Sequence, residues 1–129
     1  MENIEIVVSL NPDKLRAFTR NEANMEITLK NLSDKNTYWS ECEVLLAPPL
    51  SLSHDTEMNV GRTRIGIMKP LGSSSKQIKL FTRPNNYPDE YKFSVVAYVY
   101  DEDGAIAERT EKKMSVFCTA EQSIPVQDK

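Results

Sequence analysis

The chain of 129 residues carries only two cysteines and one histidine, and that scarcity rules out whole classes of chemistry. A structural zinc site wants four cysteine or histidine ligands, whereas Cys42, Cys118 and His54 make three, so none is expected. No stretch approaches the roughly 18 consecutive apolar residues of a membrane span. Met1-Glu2-Asn3-Ile4-Glu5 lacks the basic start and apolar run of a secretion signal, which makes a cytoplasmic location the default. A fragment cut from a secreted protein would read the same way and would be extracellular. An excess of positive charge is missing too: sixteen basic against nineteen acidic residues give a formal net charge of −3. Binding phosphates wants a basic surface, so nucleic acid is not an expected partner. There is no G-x-S-x-G nucleophile motif, no internal repeat and no amphipathic helical stretch longer than a turn or two.

What is present is alternation. With 40% hydrophobic and 27% charged residues the composition is that of a folded domain. Ile4, Ile6, Val8 and Leu10 recur at period two, and Met25, Ile27 and Leu29 alternate with Glu26, Thr28 and Lys30; each is the pattern of a strand with one buried face. Between them, Leu15, Ala17 and Phe18 fit either a short extra strand or a single helical turn. Tyr38 to Leu46 reads as a strand ended by Pro48-Pro49, which cannot donate ladder hydrogen bonds. Leu50-Ser51-Leu52 is a short alternating piece. Thr63 to Met68, with Ile65 and Ile67 on one face, and Gln77 to Phe81, with Ile78 and Leu80 on one face, are further strands. Arg83 to Asp89 is a turn cluster. Tyr91 to Tyr100 is the strongest β run, Asp103-Gly104 closes it as a hairpin, and Ala105 to Cys118 returns with Met114, Val116 and Cys118 inward. Seven or eight strands separated by turn signals predict an all-β, immunoglobulin-like antiparallel sandwich over residues 1–120, with 121–129 as a flexible tail.

Two landmarks sharpen that expectation. Trp39 follows the inward Ile27 by twelve positions, and Tyr91 opens the Tyr91-Lys92-Phe93 strand. In immunoglobulin-like domains a tryptophan packs between the sheets and a tyrosine at such a place bonds back to nearby backbone. The expected core therefore includes Ile27, Leu29, Trp39, Tyr91 and Phe93, with apolar packing where antibody domains place a disulfide. The stretches Leu29-Lys30-Asn31-Leu32-Ser33, Met68-Lys69-Pro70-Leu71-Gly72-Ser73 and Tyr91 to Gly104 resemble the prokaryotic adhesion-like CARDB and NEW3 sandwiches, over roughly Met25 to Asp103. That resemblance implies a fold and a habit of binding, and no particular site.

Candidate chemistry is sparse. His54-Asp55 carries the residue types of a general-base pair, but two neighbours in a loop are poorly placed to act as one. Asp101-Glu102-Asp103-Gly104 with Asp89 and Glu90 offers oxygen ligands for calcium, against the plainer reading of a solvated acidic turn. Cys42 and Cys118 are either a disulfide or two buried thiols, the latter in a reducing compartment. Basic residues gather between Arg62 and Arg83, acidic ones between residues 101 and 111; both fit solvated outer faces, or steering of a charged partner. The strand from Tyr91 to Tyr100 is apolar on both faces. Its second face, Val96, Tyr98 and Tyr100, is either covered by the Leu45 to Leu52 segment or open as a protein interface or homodimer contact. The leading expectation is a non-enzymatic protein-interaction module without cofactor or metal, binding through that aromatic face or at a free sheet edge. The alternative is a carbohydrate- or surface-binding module of a secreted protein, with Trp39, Tyr87, Tyr98 or Tyr100 stacking on sugar and Cys42 oxidised with Cys118.

Overall fold

A computed structural model describes residues 3–120; the expected tail, 121–129, lies outside the described residues. Chain order is β1 (Ile4–Asn11), β2 (Lys14–Arg16), β3 (Asn21–Asn31), β4 (Tyr38–Leu46), β5 (Val60–Met68), β6 (Ser73–Thr82), β7 (Asp89–Tyr100) and β8 (Ile106–Thr119). The protein is all-β with two sheets, a three-stranded one in the order β1-β3-β6 and a five-stranded one in the order β2-β8-β7-β4-β5. Neighbouring strands run antiparallel except β2, which lies parallel to β8. Among the described residues no helix is long and apolar enough to cross a membrane.

Period two decides which side chains meet between the sheets. Met25, Ile27 and Leu29 of the central strand β3 are fully buried, as are Val95, Ala97 and Val99 of β7, with Tyr91 and Phe93 buried beside them. They join Ile4 and Val8 of β1, Leu80 of β6, and Val116 and Cys118 of β8 in one core cluster. Leu15 also enters it, which makes the ambiguous segment before β3 a short strand and not a helical turn.

Two facing assignments read from the sequence are corrected. Trp39 is not in the core: β4 alternates so that Tyr38, Ser40, Cys42, Val44 and Leu46 are buried, and Trp39 falls on the opposite, outer face. Ile67 does not share a face with Ile65. The β4–β5 register shifts between Ser40 and Glu41, and the extra residue of this bulge sends Ile65 inward and Ile67 outward. Gly66 sits at the bulge with φ 141°, and a Cβ there would come within 2.5 Å of Ser74 Oγ. That hydroxyl donates to Ile65 O at 3.1 Å, tying β5 of one sheet to β6 of the other.

Two buried asparagines fasten the loops. Asn31 Nδ2 donates to Asn36 O, Met68 O and Lys69 O, while its Oδ1 accepts from Ser33 N, so one side chain joins the β3–β4 and β5–β6 connections. At the other end Asn86 Nδ2 donates to Arg16 O at 3.0 Å and Thr82 Oγ1 at 3.3 Å, and its Oδ1 accepts from Phe18 N at 2.9 Å. Tyr91 adds a local lock: its hydroxyl donates to Tyr87 O and accepts from Tyr87 N at 3.0 Å.

Candidate functional site: the outer face of the five-stranded sheet

Strand register brings the second face of β7 beside Trp39. Side chains directly opposite in antiparallel strands share a face, so the pairs Trp39 with Ile67, Trp39 with Tyr100 and Tyr100 with Ile106 define one row across β5, β4, β7 and β8. At its centre the Trp39 and Tyr100 rings stack with centroids 4.2 Å apart and planes 20° from parallel. At its ends Ile67 and Ile106 are 67% and 62% exposed. Ile106 reaches this face because the β7–β8 register shifts between Val99 and Tyr100.

The next rows are polar. Glu41, Tyr98 and Arg109 lie side by side, and Glu43, Val96 and Glu111 follow. Arg62 ties them together: its Nε bonds Glu41 Oε1 at 3.0 Å, a second guanidinium nitrogen donates to Tyr100 Oη at 3.2 Å, and the guanidinium carbon stands 4.5 Å from the Tyr98 ring centroid. Arg109 approaches the same ring at 5.8 Å. Val96, only 1% exposed, is buried yet lies outside the core cluster. Tyr98 and Tyr100 are half-buried. Of the Leu45 to Leu52 segment, Leu50 joins the core and Leu52 packs against it, near Gly61, while Leu45 lies on this outer face in the row next to Val96. The Ile67-to-Ile106 row, one row beyond Tyr98, is open and apolar; exposed apolar side chains recur toward the other end of this face at Val60, opposite Leu45, and at Phe117, opposite Glu90.

Other sequence candidates are not assembled. Asp89 and Asp101 stand at opposite ends of β7, roughly 40 Å apart at about 3.3 Å per residue. The Asp101 carboxylate is instead occupied within its own turn, accepting from Asp103 N and Ala105 N. Among the described residues no three acidic, histidine or cysteine side chains gather as a metal site. Asp55 bonds Ser53 Oγ at 2.8 Å, and that bond, followed by the charge of His54, holds its carboxyl below the usual value; the His54 ring lies 5.7 Å from Phe81. The basic residues between 62 and 83 divide between two sheets, with Arg62 paired to Glu41 and Lys79 to Glu22. Tyr87, a candidate for stacking on sugar, is exposed and meets exposed Phe18 edge to face at 5.8 Å in the loops pinned by Asn86, a pairing for which the sequence carries no signal.

Cys42 and Cys118 are free and buried. Cys42 lies opposite Ala97 and Cys118 opposite Asp89, eight positions apart along β7, or roughly 26 Å, against the about 6 Å between Cα atoms of a disulfide. Burial pushes the Cys42 thiol up from 9.0 to about 12, and burial also raises that of Cys118. The folded state thus holds the Cys42 proton after the unfolded chain has released it. The associated stabilisation is complete below pH 9 and is lost as pH rises toward about 12. Urea midpoints taken from pH 8 upward are expected to fall more steeply in the wild type than in Cys42→Ala; equal slopes would remove this thiol from the account.

No family model matches the chain, and no curated protein sequence matches it. Solved structures do. The chain is similar to a structural-genomics target, SoR45, at 9% identity over 98% of this chain and 95% of that one, with a TM-score of 0.55. It is also similar to BslA, described as a bacterial hydrophobin, at 10% identity over 92% of this chain and 96% of that one, with a TM-score of 0.50. At these identities the likeness is one of fold alone.

Proposed function

We propose that this chain is a non-enzymatic protein-interaction module on an immunoglobulin-like sandwich, and that its binding surface is the Ile67–Trp39–Tyr100–Ile106 row. The fold reading is supported by Tyr91, whose hydroxyl bonds the backbone four residues upstream at the start of β7, as a tyrosine corner does. The row itself carries the functional reading: two exposed isoleucines flank a stacked aromatic pair whose tyrosine hydroxyl accepts a hydrogen bond from Arg62. Rigid aromatics beside arginine, rimmed by charge, match the composition of protein interfaces. A sugar-stacking role has less support, because Trp39 and Tyr100 each have one ring face taken by the other.

The test uses two baits in parallel against an extract of the native host, the wild type and Ile67→Asp/Ile106→Asp. Both isoleucines are exposed, so the double variant is expected to fold. A protein that the wild type retains, and that the variant loses by tenfold or more, supports the reading. Identical retained sets overturn it.

A further inference from the structure

Strand β8 has a long free edge. It pairs with β7 along its length, but β2 covers only Phe117 to Thr119, so the regular stretch from Glu108 to Val116 has one unpaired side among the described residues. Charges on an edge strand commonly keep it from pairing with other chains. That device needs charge but no particular order, and the order here is specific.

A two-fold axis that pairs an antiparallel strand with its own copy stands normal to the sheet. It keeps each face on its own side, so opposite residues share a face and one residue lies opposite itself. Between Glu108 and Lys113 the choices are few. An axis on Glu108, Arg109, Glu111, Lys112 or Lys113 sets a charge against its own copy. An axis on Thr110 sets Arg109 against Glu111 and Glu108 against Lys112, each twice, with threonine against threonine at the centre. The other strands with a free edge show no such order: β1 has one charge, Glu5, and the charges of β2, of β5 and of β6 are all positive.

Glu108 gives a second, independent sign. Its Oε1 accepts from Asn3 N at 3.1 Å, while its Oε2 is buried without a hydrogen-bond partner, alone in this among the side-chain polar atoms of the described residues. Lys112 forms no ion pair within the described chain. A buried carboxylate oxygen without a partner is costly, and the Thr110 register sets an unpaired ammonium directly across from it.

We infer that the chain forms a two-fold homodimer by antiparallel pairing of the β8 edges about Thr110, making one continuous sheet of the two five-stranded sheets. The inference does not depend on the outer-face reading above, because Ile67 lies three strands away from this edge.

Sedimentation velocity to about 1 mM tests it, a concentration at which an association of only about 4 kcal/mol is visible. The wild type is expected to dimerise and to dissociate with added salt. Arg109→Glu and Glu111→Arg each turn two attractive contacts into repulsive ones and should weaken the dimer more than about tenfold. Both side chains are exposed, so the variants should fold, which circular dichroism confirms. Mixing the two variants restores both Arg–Glu contacts in the heterodimer and should restore the dimer. Ile67→Asp should leave self-association unchanged. A monomer at every concentration, a dimer indifferent to the reversals, or a mixture that stays monomeric overturns the inference. A dimer dispersed by Ile67→Asp instead would assign self-association to the outer face.

Discussion

Asn86→Ala is expected to destabilise the protein by about 2–3 kcal/mol and to loosen two loops at once, whereas Asn85→Ala changes stability by less than about 0.5 kcal/mol. The residues are identical and adjacent, but Asn85 is exposed and Asn86 is almost wholly buried. Truncating Asn86 takes from Arg16 O one of its two side-chain donors, the other being Asn21 Nδ2 at 2.8 Å, takes a donor from Thr82 Oγ1, and removes one of the two acceptors of Phe18 N, the other being Asn86 O at 3.0 Å. Phe18 holds a left-handed backbone, φ 65°, which a bulky side chain adopts at a cost. With the side-chain acceptor gone, that conformation has one fewer restraint. Amide exchange at Ala17 and Phe18 should therefore accelerate with the fall in the urea midpoint. A loss shared equally by the two asparagine variants would mean that the turn sequence, and not the buried amide, holds the loops.

These asparagines mark where sequence reading stops. Arg83 to Asp89 is legible as a turn because proline and asparagine set its backbone, yet which asparagine turns inward depends on Arg16, Thr82 and Phe18, partners four to seventy residues away. Met25, Ile27 and Leu29 were legible for the opposite reason: a strand with one buried face writes its orientation at period two, with no reference to its neighbours. Facing is no longer legible where parity is interrupted. The bulge opposite Ser40 reverses Ile67, and the shift after Val99 turns Ile106 outward, and both ends of the proposed binding row are made in this way. Neither bulge follows from local composition, because an extra residue in one strand is visible only against its partner.

Trp39 was misplaced by a different route. A landmark carried over from immunoglobulin domains set it between the sheets, although its own strand argued otherwise: Trp39 is at odd parity to Cys42 and Val44, so the three cannot all face inward. Parity alone puts Tyr38 in the core and Trp39 on the outer face, and the β4–β7 register then sets Trp39 opposite Tyr100. The free edge of β8 is equally hidden, because the charges crowded from Glu108 to Lys113 read as a solvated strand until the two-fold constraint is applied.

The contrast between Ile27→Ala and Trp39→Ala measures that reversal of faces directly. Ile27 is fully buried at the centre of β3, flanked in the ladder by β1 and β6. Removing its branched side chain leaves a cavity that paired strands on both sides cannot close, and the expected loss is about 3–4 kcal/mol. Trp39 is the larger residue, and a tryptophan between the sheets would cost at least as much, about 3–5 kcal/mol. On the outer face it leaves the core intact and forfeits the stack on Tyr100, a contact worth about 1 kcal/mol beyond the area it covers. Trp39→Ala should therefore cost less than half of what Ile27→Ala costs, while it abolishes retention of the partner that the outer row selects. Stability losses of equal size would return Trp39 to the core and dissolve the proposed surface. A small loss of stability with full retention of the partner would keep the fold as described and move binding elsewhere on the molecule.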